Sequence, residues 1–183
     1  MRHTLKILLS SSFFMILAAG FFGPIYAIFV EDIGGDILTA GSAYAIFSIA
    51  SGVLIFILSK WEDHIKHQEK LIIIGRLLSV VAFGGYLLVQ NPYHLFAVQL
   101  LLGLAVAVTT PAFDSLYSKN LSKGKFASEW GKWEAMYGIV AGISAIVGAF
   151  IAREFGFKTL FLIMLIMAIM SLIMSLFLIK KKK

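Results

Sequence analysis

The sequence predicts an all-α integral membrane protein, a bundle of six spanning helices. Three observations carry that prediction. The chain of 183 residues is 60 % apolar and only 14 % charged, against about 45–50 % and about 25 % in globular domains. Its mean hydropathy is +0.91. Five runs contain no Asp, Glu, Lys or Arg: residues 7–30, 37–59, 77–113, 135–152 and 159–179. A soluble chain of this size cannot hide so much apolar surface, because folding leaves a large fraction of it exposed. A soluble enzyme, a disordered regulator and a nucleic-acid-binding domain are excluded on these grounds.

A spanning helix needs about 20 residues at a rise of about 1.5 Å each. Span one, about 7–30, carries Gly23-Pro24 near its end. It is too long for a cleavable signal peptide and lacks a convincing small-residue cleavage site, so it reads as a retained helix. Span two covers about 39–59. The run 77–113 holds 37 residues, which would make one helix of roughly 55 Å. The polar stretch Gln90-Asn91-Pro92-Tyr93-His94 divides it. Span three is then about 71–89, with Arg76 inside it, and span four about 95–116. Spans five and six are about 134–152 and 159–179. Residues 1–183 form a single membrane domain on this reading.

Orientation follows from the basic residues. Of the 16 lysines and arginines, all but Arg153 and Lys158 fall on the side of the N-terminus. The sparse side also carries Glu31, Asp32, Asp36 and Glu154. Basic loops stay in the cytoplasm, which predicts both termini inside the plasma (inner) membrane. The net charge of +6 is thus a topology signal and not a nucleic-acid site.

The six spans differ in character. Span six is Leu, Ile, Met and Phe almost throughout, and span three is similarly apolar apart from Arg76, Ser79 and its glycines, so both read as facing lipid on most sides. Spans one, two, four and five carry small and polar residues, which pack closely and face the bundle or a wet cavity. Tyr26, Tyr44, Gln99, Thr109, Thr110, Tyr137 and Ser144 are the cavity candidates among them, with interhelical hydrogen bonding as the alternative role. The order has a period of three. Spans one and four each hold a kinking proline (Pro24 and Pro111), spans two and five are rich in small residues, and spans three and six are apolar. Span one runs outward and span four inward, which is the pattern of an inverted three-plus-three repeat.

The layout resembles one six-helix lobe, of the N-terminal type, of a major facilitator superfamily transporter, over nearly the whole chain. That family's loop between helices two and three carries Gly-x-Leu-x-Asp-Arg-x-Gly-Arg-Arg. The matching stretch here is Ser59-Lys60-Trp61-Glu62-Asp63-His64-Ile65-Lys66-His67-Gln68, which keeps Asp63 and has His64 in place of Arg. Gln99-Leu100-Leu101-Leu102-Gly103 keeps the glycine of an Arg-x-x-x-Gly motif in helix four. Thr110-Pro111-Ala112-Phe113-Asp114 followed by Glu129-Trp130-Gly131 is similar to the passage from helix four to five. Gly138, Gly142 and Gly148 stand where antiporter members have a glycine motif ending in Gly-Pro-x-x-Gly-Gly. The resemblance implies a half-size secondary transporter that moves a small molecule by alternating access. It also implies a homodimer, because one lobe does not enclose a path, and leaves the coupling ion open between proton and sodium. A non-transporting membrane scaffold, an assembly factor or a partner lobe of another membrane protein is the competing reading.

Charged candidates for a gate are Asp63, Arg76, Asp114 and Glu134. In the family Asp63 would latch the inner gate. Arg76 lies six residues into span three and Asp114 near the inner end of antiparallel span four, so the two are placed to pair; the alternative is Arg76 snorkelling to the headgroups while Asp114 stays wet. Glu134 opens span five as a gate or proton-binding acid, or simply as an acid favoured by the helix dipole. His64 and His67 with Glu62 and Asp63 have weak metal spacing and read as a charged loop, so no metal and no cofactor is expected. Gly142-Ile143-Ser144 suggests an intramembrane serine nucleophile, but His3, His64, His67 and His94 all lie at or beyond span ends, so no enzyme is expected. There is no cysteine, hence no thiolate chemistry.

Overall fold

The structure is a computed structural model and describes residues 3–179. Arg2 and Lys180 to Lys183, which contribute to the charge bias, lie outside the described residues. The regular structure of the described residues is helical throughout. Helix α1 (His3–Phe22) passes through a 3₁₀ turn, Gly23–Ile25, into α2 (Tyr26–Asp32). Pro24 sits in that turn, where its missing N–H interrupts the α-helical ladder. Helix α3 (Ile37–Glu62) starts on Asp36, whose Oδ1 accepts from the Thr39 N–H at 2.7 Å and its hydroxyl at 2.6 Å. The same two bonds hold the Asp36 carboxyl below the usual carboxylate range.

Helix α4 (Gln68–Tyr86) and α5 (Pro92–Lys119) separate at the expected polar stretch. Asn91 caps α5 by accepting from the His94 N–H at 3.1 Å, and Pro92 occupies the first turn, where no intrahelical bond is lost. Pro111 lies inside α5.

Helix α6 (Phe126–Leu176) is 51 residues long. It begins eight residues before the expected start of span five. Its backbone breaks at Gly156 (φ 79, ψ 166), a left-handed conformation that glycine reaches without a Cβ penalty. A single-residue break thus replaces the connection expected over 153–158. By length and apolarity, four helical segments can cross a membrane: His3–Asp32, Ile37–Glu62, Pro92–Lys119 and Phe126–Leu176. Helix α4 is not among them, because Glu69, Lys70 and Arg76 fall within its 19 residues.

Helix α1 packs along α6, α5 packs on both α3 and α4, and α4 also packs on α6. Helices α1 and α5 meet at few points, and a cavity opens between them. Two cores close its ends. One is aromatic: the Phe161 ring lies 4.9 Å from Phe29, 5.1 Å from Tyr86 and 5.2 Å from Phe22. The other gathers Leu5, Leu8, Ile72, Phe113 and Tyr117.

The α1–α6 seam is close and partly polar. Ser11 Oγ donates to the Ser171 carbonyl at 2.9 Å, and Ser171 Oγ donates to the Ser11 carbonyl at 2.7 Å. Both serines are fully buried, so the apolar second arm of α6, after Gly156, is not simply a lipid-facing helix. Gly148, in the first arm, lies against the Phe21 backbone.

Candidate substrate cavity

The cavity holds about 620 Å³, within the range of roughly 300–1,000 Å³ usual for small-molecule sites. Helix α1 supplies Ser12, Met15 and Ala19, the turn after it Gly23, and α2 its first residue, Tyr26. Helix α5 faces them with Gln99, Val106, Thr109, Thr110 and Asp114. Helix α4 forms the back wall with Arg76, Ser79, Phe83 and Tyr86. Tyr44 of α3 and Tyr137 of the first α6 arm stand on the flanks.

Six of the seven cavity residues named from the sequence line this one space: Tyr26, Tyr44, Gln99, Thr109, Thr110 and Tyr137. Gln99 Nε2 donates to the Tyr26 hydroxyl at 2.8 Å, joining the two facing walls. Thr109 donates to the Ala105 carbonyl at 2.7 Å, so its hydroxyl proton is held within its own helix. Ser144 is placed elsewhere. It is fully buried, donates to the Ala141 carbonyl at 2.9 Å and lies against Gly20. Its small side chain serves the α1–α6 contact.

The charged candidates divide. Arg76 and Asp114 both line the cavity, but they form no ion pair; the pairs among the described residues are His67–Glu69 and Arg153–Glu154. Arg76 turns instead toward α1, where Nη2 donates to Ser12 Oγ at 3.2 Å. Its Nε is buried without an acceptor, while Asp114 is exposed. Asp63 is the exposed residue that ends α3. Glu134 is exposed and lies in the third turn of α6, too far along for a helix N-terminal acid. Among the described residues no group of three or more His, Cys, Asp and Glu side chains could hold a metal.

Several residues of this region are not legible in the sequence. Span three reads as facing lipid on most sides, with Arg76 and Ser79 as its polar exceptions, yet α4 also brings Phe83 and Tyr86 to the cavity. The triplet Ser10 to Ser12 splits three ways: Ser10 is exposed, Ser11 binds Ser171 and Ser12 binds Arg76. Glu62, beside Asp63, is 3 % exposed with both carboxyl oxygens unpartnered. Glu129 is 4 % exposed and accepts from the Ser122 N–H at 2.7 Å and its hydroxyl at 3.0 Å, while its carbonyl accepts from the Tyr117 hydroxyl at 2.6 Å. These bonds tie the end of α5 to the start of α6. In the sequence Glu129 stands out as an acid in a basic loop and through the Glu129-Trp130-Gly131 resemblance, but neither shows the Ser122 partner.

The comparisons with known proteins agree with this architecture. The family description that matches is the Major Facilitator Superfamily, over residues 8–183. The multidrug resistance protein MdtG of Erwinia billingiae is 26 % identical over 152 residues, covering 80 % of this chain and 36 % of that protein. MdtG of Salmonella typhimurium is 25 % identical over 150 residues (79 % and 37 %), and MdtG of Enterobacter lignolyticus 25 % over 152 residues (80 % and 36 %). The chain therefore spans little more than a third of the length of these relatives. Long apolar helices around a largely apolar cavity that carries several polar side chains and a family match over nearly all of the sequence lead to one assignment: this integral membrane chain belongs to the Major Facilitator Superfamily.

Proposed function

We propose that the chain is one lobe of a secondary transporter, which moves a small molecule across the inner membrane by alternating access. The observation that carries this reading is convergence. Polar side chains of α1–α2, α3, α5 and the first arm of α6 meet at one cavity. A scaffold has no need to gather them, since scattered polar groups would serve interhelical bonding equally well.

The domain crosses the membrane six times on this reading: once with α1–α2, once each with α3, α4 and α5, and twice with α6, folded at Gly156. The two halves form an inverted repeat, and both termini lie in the cytoplasm beside the basic loops. A second lobe, supplied by a second copy of the chain, covers the cavity across a two-fold axis along the membrane normal. Tyr44 and Tyr137 support this, because each lines the cavity yet is 63 % and 52 % exposed in the single lobe. Asp63, Asp114 and Glu134 are the gate or coupling-ion carboxylates, with proton or sodium as the ion. The cavity and not a catalytic group does the work, so the protein is a carrier without enzymatic chemistry or cofactor.

The test is uptake into proteoliposomes under an imposed proton or sodium gradient, with a panel of neutral, cationic and anionic organic solutes, including drugs of the kind that the relatives' names suggest. At least one solute should accumulate above protein-free liposomes. Gln99→Leu combined with Tyr26→Phe removes the bond between facing walls and should reduce that uptake by about tenfold, a loss near 1.4 kcal/mol. If every solute moves at the protein-free rate, the scaffold reading replaces transport.

A further inference from the structure

Arg76 brings a permanent positive charge into the middle of α4. It is 8 % exposed. One donor reaches Ser12 Oγ at 3.2 Å, and the Nε–H is buried with no acceptor. A guanidinium has five donors, and a neutral hydroxyl supplies no counter-charge. Among the described residues no carboxylate forms an ion pair with it. A buried, uncompensated charge is strongly unfavourable, and inside a membrane domain it marks a place where a partner arrives.

The surroundings define that partner. Arg76 lines the cavity together with the rings of Phe22, Phe83, Tyr86, Phe113 and Trp133. Asp114 is the other charge on the wall, and it is exposed while Arg76 is buried. The buried recognition charge is therefore positive and its setting is aromatic. The planar fork of arginine suits an acid group that accepts two parallel N–H bonds.

We propose that Arg76 is the anion-recognition residue of this cavity and that the ligand is an organic monoanion. Its carboxylate, or a sulfonate presenting two oxygens to the fork, sits on the guanidinium, and its apolar body lies against the aromatic wall. This rests on the cavity being the substrate site, and it goes further by fixing the charge of the substrate. Bound in this way, the ligand supplies the counter-charge that the fold leaves out.

Binding of radiolabelled 2-naphthoate to the purified full chain in phosphatidylcholine nanodiscs tests it, beside uncharged 2-naphthamide and the cation tetraphenylphosphonium. The wild type should bind 2-naphthoate at least about tenfold more tightly than 2-naphthamide. Arg76→Gln should erase that preference while 2-naphthamide still binds, which also reports an intact cavity. Should Arg76→Gln fail to fold, Arg76→Lys decides. It keeps the charge but not the fork, so a reduced preference for 2-naphthoate supports the proposal and equal binding overturns it. Asp114→Asn should tighten 2-naphthoate binding, because it removes a like charge from the wall.

Equal binding of acid and amide by the wild type overturns the proposal. So does tighter binding of tetraphenylphosphonium that is lost in Asp114→Asn. The transport reading fails separately. Gradient-driven uptake without preference for anions removes the anion proposal alone, whereas Arg76-dependent 2-naphthoate binding without uptake of any solute removes transport alone.

Discussion

Gly148→Leu is expected to leave no folded protein in the membrane, and Gly148→Ala to melt well below the wild type. A Cβ at this position would meet the carbonyl oxygen of Phe21, with its carbonyl carbon and Cα at 2.5 Å. Those are backbone atoms of α1 and cannot rotate away. The first arm of α6 must separate from α1, and that seam also carries Ser144 against Gly20. Overpacking costs about 1–3 kcal/mol when side chains can adjust and more when they cannot, so the alanine variant should lose about 3 kcal/mol. Gly142→Ala is the control. Open space surrounds its Cβ, and alanine has the better helix propensity by about 1 kcal/mol. It should melt at or above the wild-type temperature in detergent. Equal melting of the two alanine variants would mean that α1 and α6 do not meet at this point.

The second large effect is all-or-none. Reporters that are active on only one side of the membrane should give the cytoplasmic signal at Lys66, at Lys125 and at the C-terminus, and the external signal at Gly34, Pro92 and Gly156. The pair Lys66 and Pro92 carries most of the weight. Helix α4 lies between them and falls short of the length-and-apolarity standard that the other segments meet. If α4 crosses, the two reporters disagree. The fold favours crossing, since Leu71, Ile72, Ala82, Phe83 and Tyr86 of α4 are buried among α5 and α6. Arg76 is then covered by Ser12 rather than by lipid. Agreement between Lys66 and Pro92 would reduce the number of crossings and end the six-span reading. A further failure would be the same signal at Lys125 and Gly156, because the first arm of α6 must carry the chain across.

Much of this fold was legible because the membrane punishes charge. The charge-free runs located α1–α2, α3, α5 and both arms of α6, and Asn91-Pro92 located the start of α5 through capping chemistry that is local in sequence. The break in α6 was legible as a charged interval but not as a shape. Only the left-handed backbone at Gly156 shows that the helix breaks at one residue. The same limit governs the site. A tyrosine, glutamine or threonine inside an apolar helix favours the inside of the bundle or a wet cavity over lipid, so Tyr26, Gln99 and Thr109 are legible in the sequence. Helical rise gave the depth of Arg76 and Asp114 but not the direction in which each points around its helix. Arg76 looks to α1 and Asp114 is exposed, so of the two readings the pair is the one that does not form. Ser144 shows the complementary ambiguity, since a small polar residue fits a cavity wall and a tight helix seam equally well. Glu62 reads in the sequence as one more charge of a solvated loop, like its neighbour Asp63, and burial of one carboxylate beside an exposed one depends on tertiary contacts.

The measurement that bears most directly on the two-lobe account is disulfide crosslinking between two differently tagged copies. The protein has no native cysteine, so each introduced thiol is unambiguous. Ile49 of α3 is 66 % exposed and Ile143 of the first α6 arm is 56 % exposed, and both lie roughly 18 Å from the outer ends of their helices. Under the proposed two-fold axis the α3 face of one copy meets the first α6 arm of the other. Ile49→Cys in one copy and Ile143→Cys in its partner should therefore give a crosslinked dimer on mild oxidation in the membrane. Ile166→Cys, on the exposed side of the second α6 arm, should stay monomeric. Efficient crosslinking through Ile166 with none between Ile49 and Ile143 would contradict the account, because it would place the lipid-facing side at the interface and leave the cavity uncovered.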